Sequence, residues 1–282
     1  CNVVVIGGGT AGLEAACTAA EVGCNTFLLE KGNELGGLAS LISKIPAKNR
    51  LADFPHYLMH RAEQLDNLYI FKNTEGTPEN IRKFHPNIIV SSTGSAPLLP
   101  PIAGLKDRID NENHNIYSIL GMISHINDFP KDLEGKKVVV VGGGAVGLDV
   151  VEFFADRNAD ISIVEMMDQI GRDLDPVSKN DTKTMMKKHN VHQLTKTALL
   201  EVKDSSFLVR GDGEPYELPF EYGFVCLGMR AQGQLYQNLT EEFSSEDVEI
   251  MNIGDSQRAR RIIDGTQEGR NILTILEQKG YL

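Results

Sequence analysis

Four β-branched residues, Val3-Val4-Val5-Ile6, run straight into Gly7-Gly8-Gly9, and an Ala-rich stretch free of Pro follows. A short apolar run bounded by glycine predicts a strand buried on both faces. The Ala-rich stretch behind it predicts a helix. The same pattern returns downstream, where Val138-Val139-Val140-Val141 passes into Gly142-Gly143-Gly144 and then into a Val- and Phe-rich helical stretch. Gly7, Gly9 and Gly12 recur as Gly142, Gly144 and Gly147 at a constant offset of 135 residues. In each copy a second apolar run ends on an acid, Thr26–Leu29 on Glu30 and Ile161–Val164 on Glu165, again 135 apart. The chain therefore carries an internal duplication of a strand–glycine turn–helix–strand unit.

Between and after the two copies the pattern is less regular. It predicts a helix over Leu51 to Leu65, a strand over Asn67 to Phe71 and a helix capped by Thr77 with Pro78 at its first position. The run Ile88-Ile89-Val90 reads as a buried strand, and Pro97, Pro100 and Pro101 mark where the chain leaves the first unit. In the second unit, strands are expected at Ala198–Val202 and Ser206–Val209, a turn at Gly211-Asp212-Gly213 and a closing strand through Tyr222–Gly228. The tail reads as a strand into Ile253-Gly254-Asp255 and one helix from about Arg258 to Lys279. The predicted fold class is α/β, with two Rossmann-like three-layer dinucleotide-binding domains. Residues 105–244 are inserted into a discontinuous domain formed by 1–104 and 245–282.

The spacing of the glycines carries the chemistry. In G-x-G-x-x-G the first glycine permits the tight turn, the second admits a pyrophosphate against the backbone, and the third lets helix and strand pack closely. Thr10, Ala11, Ala145 and Val146 fill the intervening positions at the helix starts, where free N–H groups and the helix dipole favour an anion. A carboxylate at the tip of the second strand accepts hydrogen bonds from a ribose diol and repels a 2′-phosphate, the role assigned to Glu30 and Glu165. After Glu165 come Met166 and Met167 instead of an Arg, which favours NADH over NADPH, with Arg172 the nearest alternative cation.

Charge and cysteine content narrow the class. With 28 basic against 39 acidic residues and a net charge of −11, the chain lacks the basic stripe of a nucleic-acid binder. No apolar run is long enough to span a membrane. No leader precedes the first strand, so the reading is cytoplasmic. Opening on Cys1 at the edge of a strand, the chain reads as a piece of a longer polypeptide. Cys1, Cys17, Cys24 and Cys226 form no C-x-x-C and no metal-ligand spacing, so they are expected as ordinary thiols. Of the seven histidines only His56 and His60 stand i, i+4, without a third ligand, and no metal site is expected.

Together the G-G-G-T-A-G-L-E start, E-K at 30–31, L-G-G at 35–37, T-G-S at 93–95 and I-G-D at 253–255 resemble the two-dinucleotide-binding-domain flavoproteins. P-A-K at 46–48, N-T-E-G-T-P-E at 73–79 and A-R-R-I-I-D-G-T-Q-E-G at 259–269 look like the C-terminal half of multidomain old-yellow-enzyme-type reductases, the 2,4-dienoyl-CoA reductase, 2-enoate reductase and trimethylamine dehydrogenase group. The resemblance implies FAD in the discontinuous domain and NADH in the inserted one. FMN and a 4Fe-4S cluster would belong to an absent N-terminal barrel half. It adds Lys31, Gly37, Lys48, Gly76, Thr93, Gly94, Gly254 and Asp255 to the flavin side and Gly228 to the nicotinamide side. Lys31 and Lys48 would neutralise phosphate or lie along adenine, and Asp255 has a plain alternative as a helix N-cap. Gly76 departs from the β-branched residue usual there and implies a looser adenine loop. Leu38-Ala39 replaces the commoner amide-containing pair.

The implied function is a flavin-dependent NADH oxidoreductase module. It would pass hydride from NADH to FAD and electrons on to the absent half, where an enoate or enoyl-CoA would be reduced. No catalytic side chain is named, because the cofactors carry the difficult chemistry. A non-catalytic ADP-binding scaffold and a stand-alone ferredoxin-type reductase are the alternatives, and homo-oligomerisation is left open.

Overall fold

The computed structural model describes residues 1–282. In chain order the first part contains β1 (Asn2–Ile6), α1 (Thr10–Glu21), β2 (Asn25–Leu29), α2 (Gly37–Ile42), α3 (Asp53–Glu63), β3 (Leu68–Phe71), α4 (Pro78–Arg82) and β4 (Ile88–Ser91). Next come β5 (Ser95–Pro97), α5 (Leu105–Arg108), β6 (Ile116–Tyr117), α6 (Ile119–Ser124), β7 (Lys137–Val141), α7 (Ala145–Ala155), β8 (Asp160–Val164), α8 (Pro176–Lys188) and β9 (His192–Leu194). The remainder is β10 (Ala198–Val202), β11 (Ser206–Arg210), β12 (Tyr216–Pro219), β13 (Tyr222–Val225), β14 (Met229–Ala231), α9 (Gln234–Glu242), β15 (Glu249–Asn252), α10 (Ile262–Arg270) and α11 (Ile272–Gln278).

Two compact units emerge, one of residues 1–44, 48–96 and 230–282, the other of 45–47 and 97–229. These limits differ from the expected 104/105 and 244/245, for a packing reason. Leu239 and Phe243, on and just after α9, join Val4, Ile6, Ile81 and Ile89 in the core of the first unit. Ile102 and Leu105 instead pack into the core of the second.

The first unit is a parallel sheet in the order β15-β4-β1-β2-β3. Alternation along β1 divides its core: Val3 and Val5 face α1, α3 and α11, whereas Val4 and Ile6 face α4 and α9. Every residue from Gly12 to Ala20 is buried. The small side chains Ala15, Ala16, Ala19 and Ala20 let α1 fit between sheet and outer helices. Buried among them is the Glu14 carboxylate, which accepts from Arg61 Nη1 at 2.9 Å and Arg270 Nε at 2.7 Å. This ion triad ties α1 to α3 and to the end of α10.

In the second unit the parallel sheet has the corresponding order β6-β13-β7-β8-β9. The antiparallel sheet β10-β11-β12 supplies Val202, Phe207 and Val209 to one core, with Val139, Val141 and Val225. Elsewhere an aromatic cluster of Phe129, Phe154 and Phe224 fills the interior. Helix α4 begins as expected: Thr77 Oγ1 accepts from Asn80 N at 3.2 Å and Pro78 occupies the first turn.

Two expectations are corrected. The tail does not form one helix from Arg258. The Asp264 carboxylate accepts from Arg261 N at 3.1 Å, α10 starts at Ile262, and Asn271 separates it from α11. The cysteines are not four thiols, because Cys1 and Cys24 form a disulfide with Cα atoms 5.0 Å apart. Each immediately precedes a strand, and the register Asn2↔Asn25 places the two side by side. Sequence spacing alone carries no sign of that neighbourhood.

Cys17 and Cys226 remain buried thiols. Burial pushes the Cys17 thiol up to about 11 and the Cys226 thiol up to about 12, from 9.0. The unfolded chain releases these protons first, so stability present below pH 9 declines as pH rises from 9 towards 11 and 12. We expect urea-unfolding free energy to fall by about 1.4 kcal/mol per pH unit for each thiol in that window. The Cys17→Ala, Cys226→Ala variant should show a correspondingly shallower slope between pH 9 and 11.

Candidate functional site

The glycine turns are built alike in both units. Gly7 N donates to Leu29 O at 2.9 Å and Gly142 N to Val164 O at 2.8 Å, so each turn continues the ladder of its first strand. Gly7 and Gly142 adopt φ of +101° and +108°, a region that favours glycine. A Cβ on Gly12 would lie 2.0 Å from Gly7 O, and one on Gly147 1.9 Å from Gly142 O. Only glycine allows either helix so close to its strand. Ser92, which sequence reasoning missed, seals the first turn by donating Oγ to Ile6 O at 2.8 Å and Gly7 O at 3.0 Å.

The acids at the strand tips are held identically. Glu30 accepts from Gly8 N and Gly32 N, both at 2.7 Å. Glu165 accepts from Gly143 N at 2.6 Å and Met167 N at 2.8 Å. Each carboxylate is thus fixed beside its glycine loop. A further pair lies at the same offset: Gly36 N donates to Gly8 O and Gly171 N to Gly143 O, each at 2.7 Å. Gly171 was absent from the sequence-derived candidates, although adding 135 to Gly36 would have found it.

The helix starts above these loops are open to an anion. Gly9 and Gly144 are the N-caps of α1 and α7, with no side-chain cap and no acid in the first turn. By contrast, Asp175 accepts from Val177 N and Ser178 N at the start of α8. A Cβ on Gly144 would meet nothing within 4 Å, and one on Gly9 only Gly37 Cα at 3.9 Å. Thr10, Ala11, Ala145 and Val146 form the first turns.

The other candidates divide. Gly37 lies against Gly9 through the Gly9↔Gly36 bridge. Gly76 is buried, and a Cβ there would come within 2.4 Å of Ile6 Cγ2. This corrects the expected looseness: Ile6 fills the volume that a branched residue would take. Thr93 Oγ1 donates to Gln232 O at 2.8 Å and Gln232 N returns to Gly94 O at 3.0 Å. Added Cβ atoms on Gly94 and Gly228 would both enter open space. Gly254 packs on Ala11, with an added Cβ 2.9 Å from Ala11 Cβ. Asp255 accepts from Ser95 Oγ and from Arg260 N, both at 3.0 Å. Lys31 is exposed after β2, and Lys48 is half-buried in the 3-10 segment Pro46–Ala52 that replaces the start of the helix expected from Leu51.

Residues 1–251 match the family described as pyridine nucleotide-disulphide oxidoreductases. The chain belongs to that family. This oxidoreductase is 28% identical over 269 residues to an NADH oxidase of Thermoanaerobacter brockii, covering 95% of this chain and 40% of that protein. It is 27% identical over 306 residues to a metal reductase of Desulforamulus reducens, covering 96% and 43%. It is also 28% identical over 272 residues to a bilirubin reductase of Mediterraneibacter gnavus, covering 95% and 40%. The chain thus spans less than half the length of these relatives.

Among solved structures, a 2-naphthoyl-CoA reductase complex shares the fold with a TM-score of 0.80 at 24% identity, covering 96% of this chain and 39% of that one. Histamine dehydrogenase from Rhizobium sp. 4-9 does so with a TM-score of 0.82 at 18% identity, covering 96% and 41%. Each is matched over only about two-fifths of its length, and these likenesses show the fold. The family binds FAD and NAD(P)H. The uncapped N-termini of α1 and α7, the open space at Gly9 and Gly144, and the fixed carboxylates Glu30 and Glu165 fit two such dinucleotides.

The contrast between third and second glycines is testable without any ligand. Gly147→Ala should lower unfolding free energy by about 3 kcal/mol, because backbone must move to admit the methyl group. Gly144→Ala, facing open space, should change it by no more than about 0.5 kcal/mol. Chemical denaturation of the two variants checks the difference.

Proposed function

We propose that the chain is the NADH-oxidising module of a longer flavoenzyme. The first unit would hold FAD through Gly7, Gly9, Gly12, Glu30 and the turn Gly254–Asp255, and the second NADH through Gly142, Gly144, Gly147 and Glu165. When bound, FAD would supply a hydride acceptor for NADH and a route for single-electron transfer. The protein's part is to bind, orient and fix charge: Glu30 and Glu165 would each accept hydrogen bonds from a ribose diol, and the first turns of α1 and α7 would hold the diphosphates. Electrons would leave for an FMN and iron–sulfur half outside this chain, which spans only 40–43% of its relatives. An enoate or enoyl-CoA is the proposed terminal substrate.

The observation that carries this reading is the duplicated, identically bonded glycine–carboxylate device. Looseness at Gly76 and in the 37–50 loop motivates an ADP-only scaffold, and the close fit of Gly76 to Ile6 weighs against the first of these.

Incubating the purified chain with FAD, desalting it and adding NADH under anaerobic conditions tests the proposal. A retained flavin absorption band that bleaches with NADH is the expected result. No retained flavin would overturn it in favour of the scaffold. NADH should bind at least about 10-fold more tightly than NADPH, since Glu165 repels a 2′-phosphate and exposed Met166 offers no counter-charge. Glu165→Ala combined with Met166→Arg should narrow that ratio, as followed by fluorescence titration.

A further inference from the structure

The turn Gly254–Asp255 is enclosed by a ring of hydrogen bonds that draws on Arg260 and Glu268 of the 259–269 segment. Gly254 N donates to Glu268 Oε2 at 2.7 Å. The other oxygen of the same carboxylate receives the Arg260 guanidinium. Arg260 backbone N donates to Asp255 Oδ1 at 3.0 Å, which closes the ring through the covalent chain. Ser95 Oγ donates to the remaining oxygen, Asp255 Oδ2, at 3.0 Å. The turn also presses on the start of α1, where Gly254 and Gly265 both approach Ala11 Cβ.

Two consequences follow from the chemistry. The Glu268 carboxylate satisfies an amide that would otherwise point free at the base of the turn, and it neutralises a guanidinium beside it. Asp255 is gripped at both oxygens, so its carboxylate has one orientation. Charge-assisted hydrogen bonds of this kind are stronger than neutral ones and set geometry as well as energy.

We propose that Glu268 is a positioning residue for the flavin side of the first site. Through Gly254 and Arg260 it sets where Asp255 stands relative to the N-terminus of α1, with Ser95 as the second support. This rests on reading the first unit as the FAD site, with Gly9 and Glu30 serving the adenosine-diphosphate part and Gly254–Asp255 the part beyond it. Glu268 itself contacts no cofactor in this account.

The discriminating measurement compares two ligands on the full chain: FAD, followed by flavin fluorescence, and ADP, followed by calorimetry. Glu268→Ala should raise the FAD dissociation constant by about 10-fold or more while changing that for ADP by less than about 2-fold. Glu268→Gln keeps an acceptor for Gly254 N and should fall between wild type and Ala. If the Ala variant fails to fold, the Gln variant and Ser95→Ala carry the test, each expected to weaken FAD selectively. Glu242→Gln, which breaks an ion pair to Arg82 elsewhere in the unit, should change neither constant. Equal weakening of both ligands, or of neither, overturns the positioning role. Wild-type chain that takes up ADP but not FAD overturns the reading of the first site instead, and the role of Glu268 falls with it.

Discussion

The close contact between the third glycine of each loop and the carbonyl of the first governs both units. With Gly12 seated on Gly7 O and Gly147 on Gly142 O, each helix begins directly over the end of its strand. The first N–H groups of α1 and α7 then follow directly on the ends of β1 and β7, the central strands of their sheets, and no side chain caps them. Any side chain at the third position would push the helix away and blur that alignment. The carboxylates of Glu30 and Glu165 depend on the same contact, because the amides that hold them, Gly8 N and Gly143 N, belong to the turns it shapes.

In the first unit this arrangement demands a helix buried on every side, and the Glu14 triad shows how such a helix is anchored. A carboxylate only 3% exposed would be strongly disfavoured alone. Arg61, 13% exposed, and Arg270 both reach it, and Arg61 also binds Glu21 at 2.6 Å. Hydrogen bonding to Glu21 and Glu14 raises the Arg61 guanidinium further above its ordinary value, and the same pairing lowers Glu21. Buried ion pairs of this sort contribute little net stability but penalise alternatives, since removing one partner strands a charge. The triad therefore fixes the rotation of α1, and with it the direction in which Gly9 and Thr10 face.

What could be read from sequence follows the range of the interactions involved. The duplicated strand, turn, helix and acid were legible because each depends on neighbours a few residues away, repeated at one offset. Gly171 was equally legible in principle. The Cys1–Cys24 bond, the seal at Ser92 and the ring through Glu268 depend on which strand ends and helices lie side by side, which local pattern does not encode. Gly76 shows the same limit. A missing branched side chain reads as slack in sequence, yet Ile6 occupies the space in the fold. The break at Asn271 escaped because the residues on either side all favour or tolerate helix.

The two copies differ most in what lies against the start of the phosphate-facing helix. In the first unit Ala11 is half-buried beneath Gly254 and Gly265, and the turn above it is pinned by Glu268 and Ser95. In the second, the corresponding Val146 is half-buried too, but Gly144 and Ala145 are exposed where their counterparts Gly9 and Thr10 are half-buried, and Met166 beside the acid is 69% exposed. The tail of the chain thus packs, through Gly254 and Gly265, against the start of α1. A nucleotide enclosed on more sides leaves more slowly, because more contacts must break together. Under the function proposed above, that asymmetry would suit a first site that keeps its dinucleotide as a resident group and a second that exchanges its dinucleotide at every turnover.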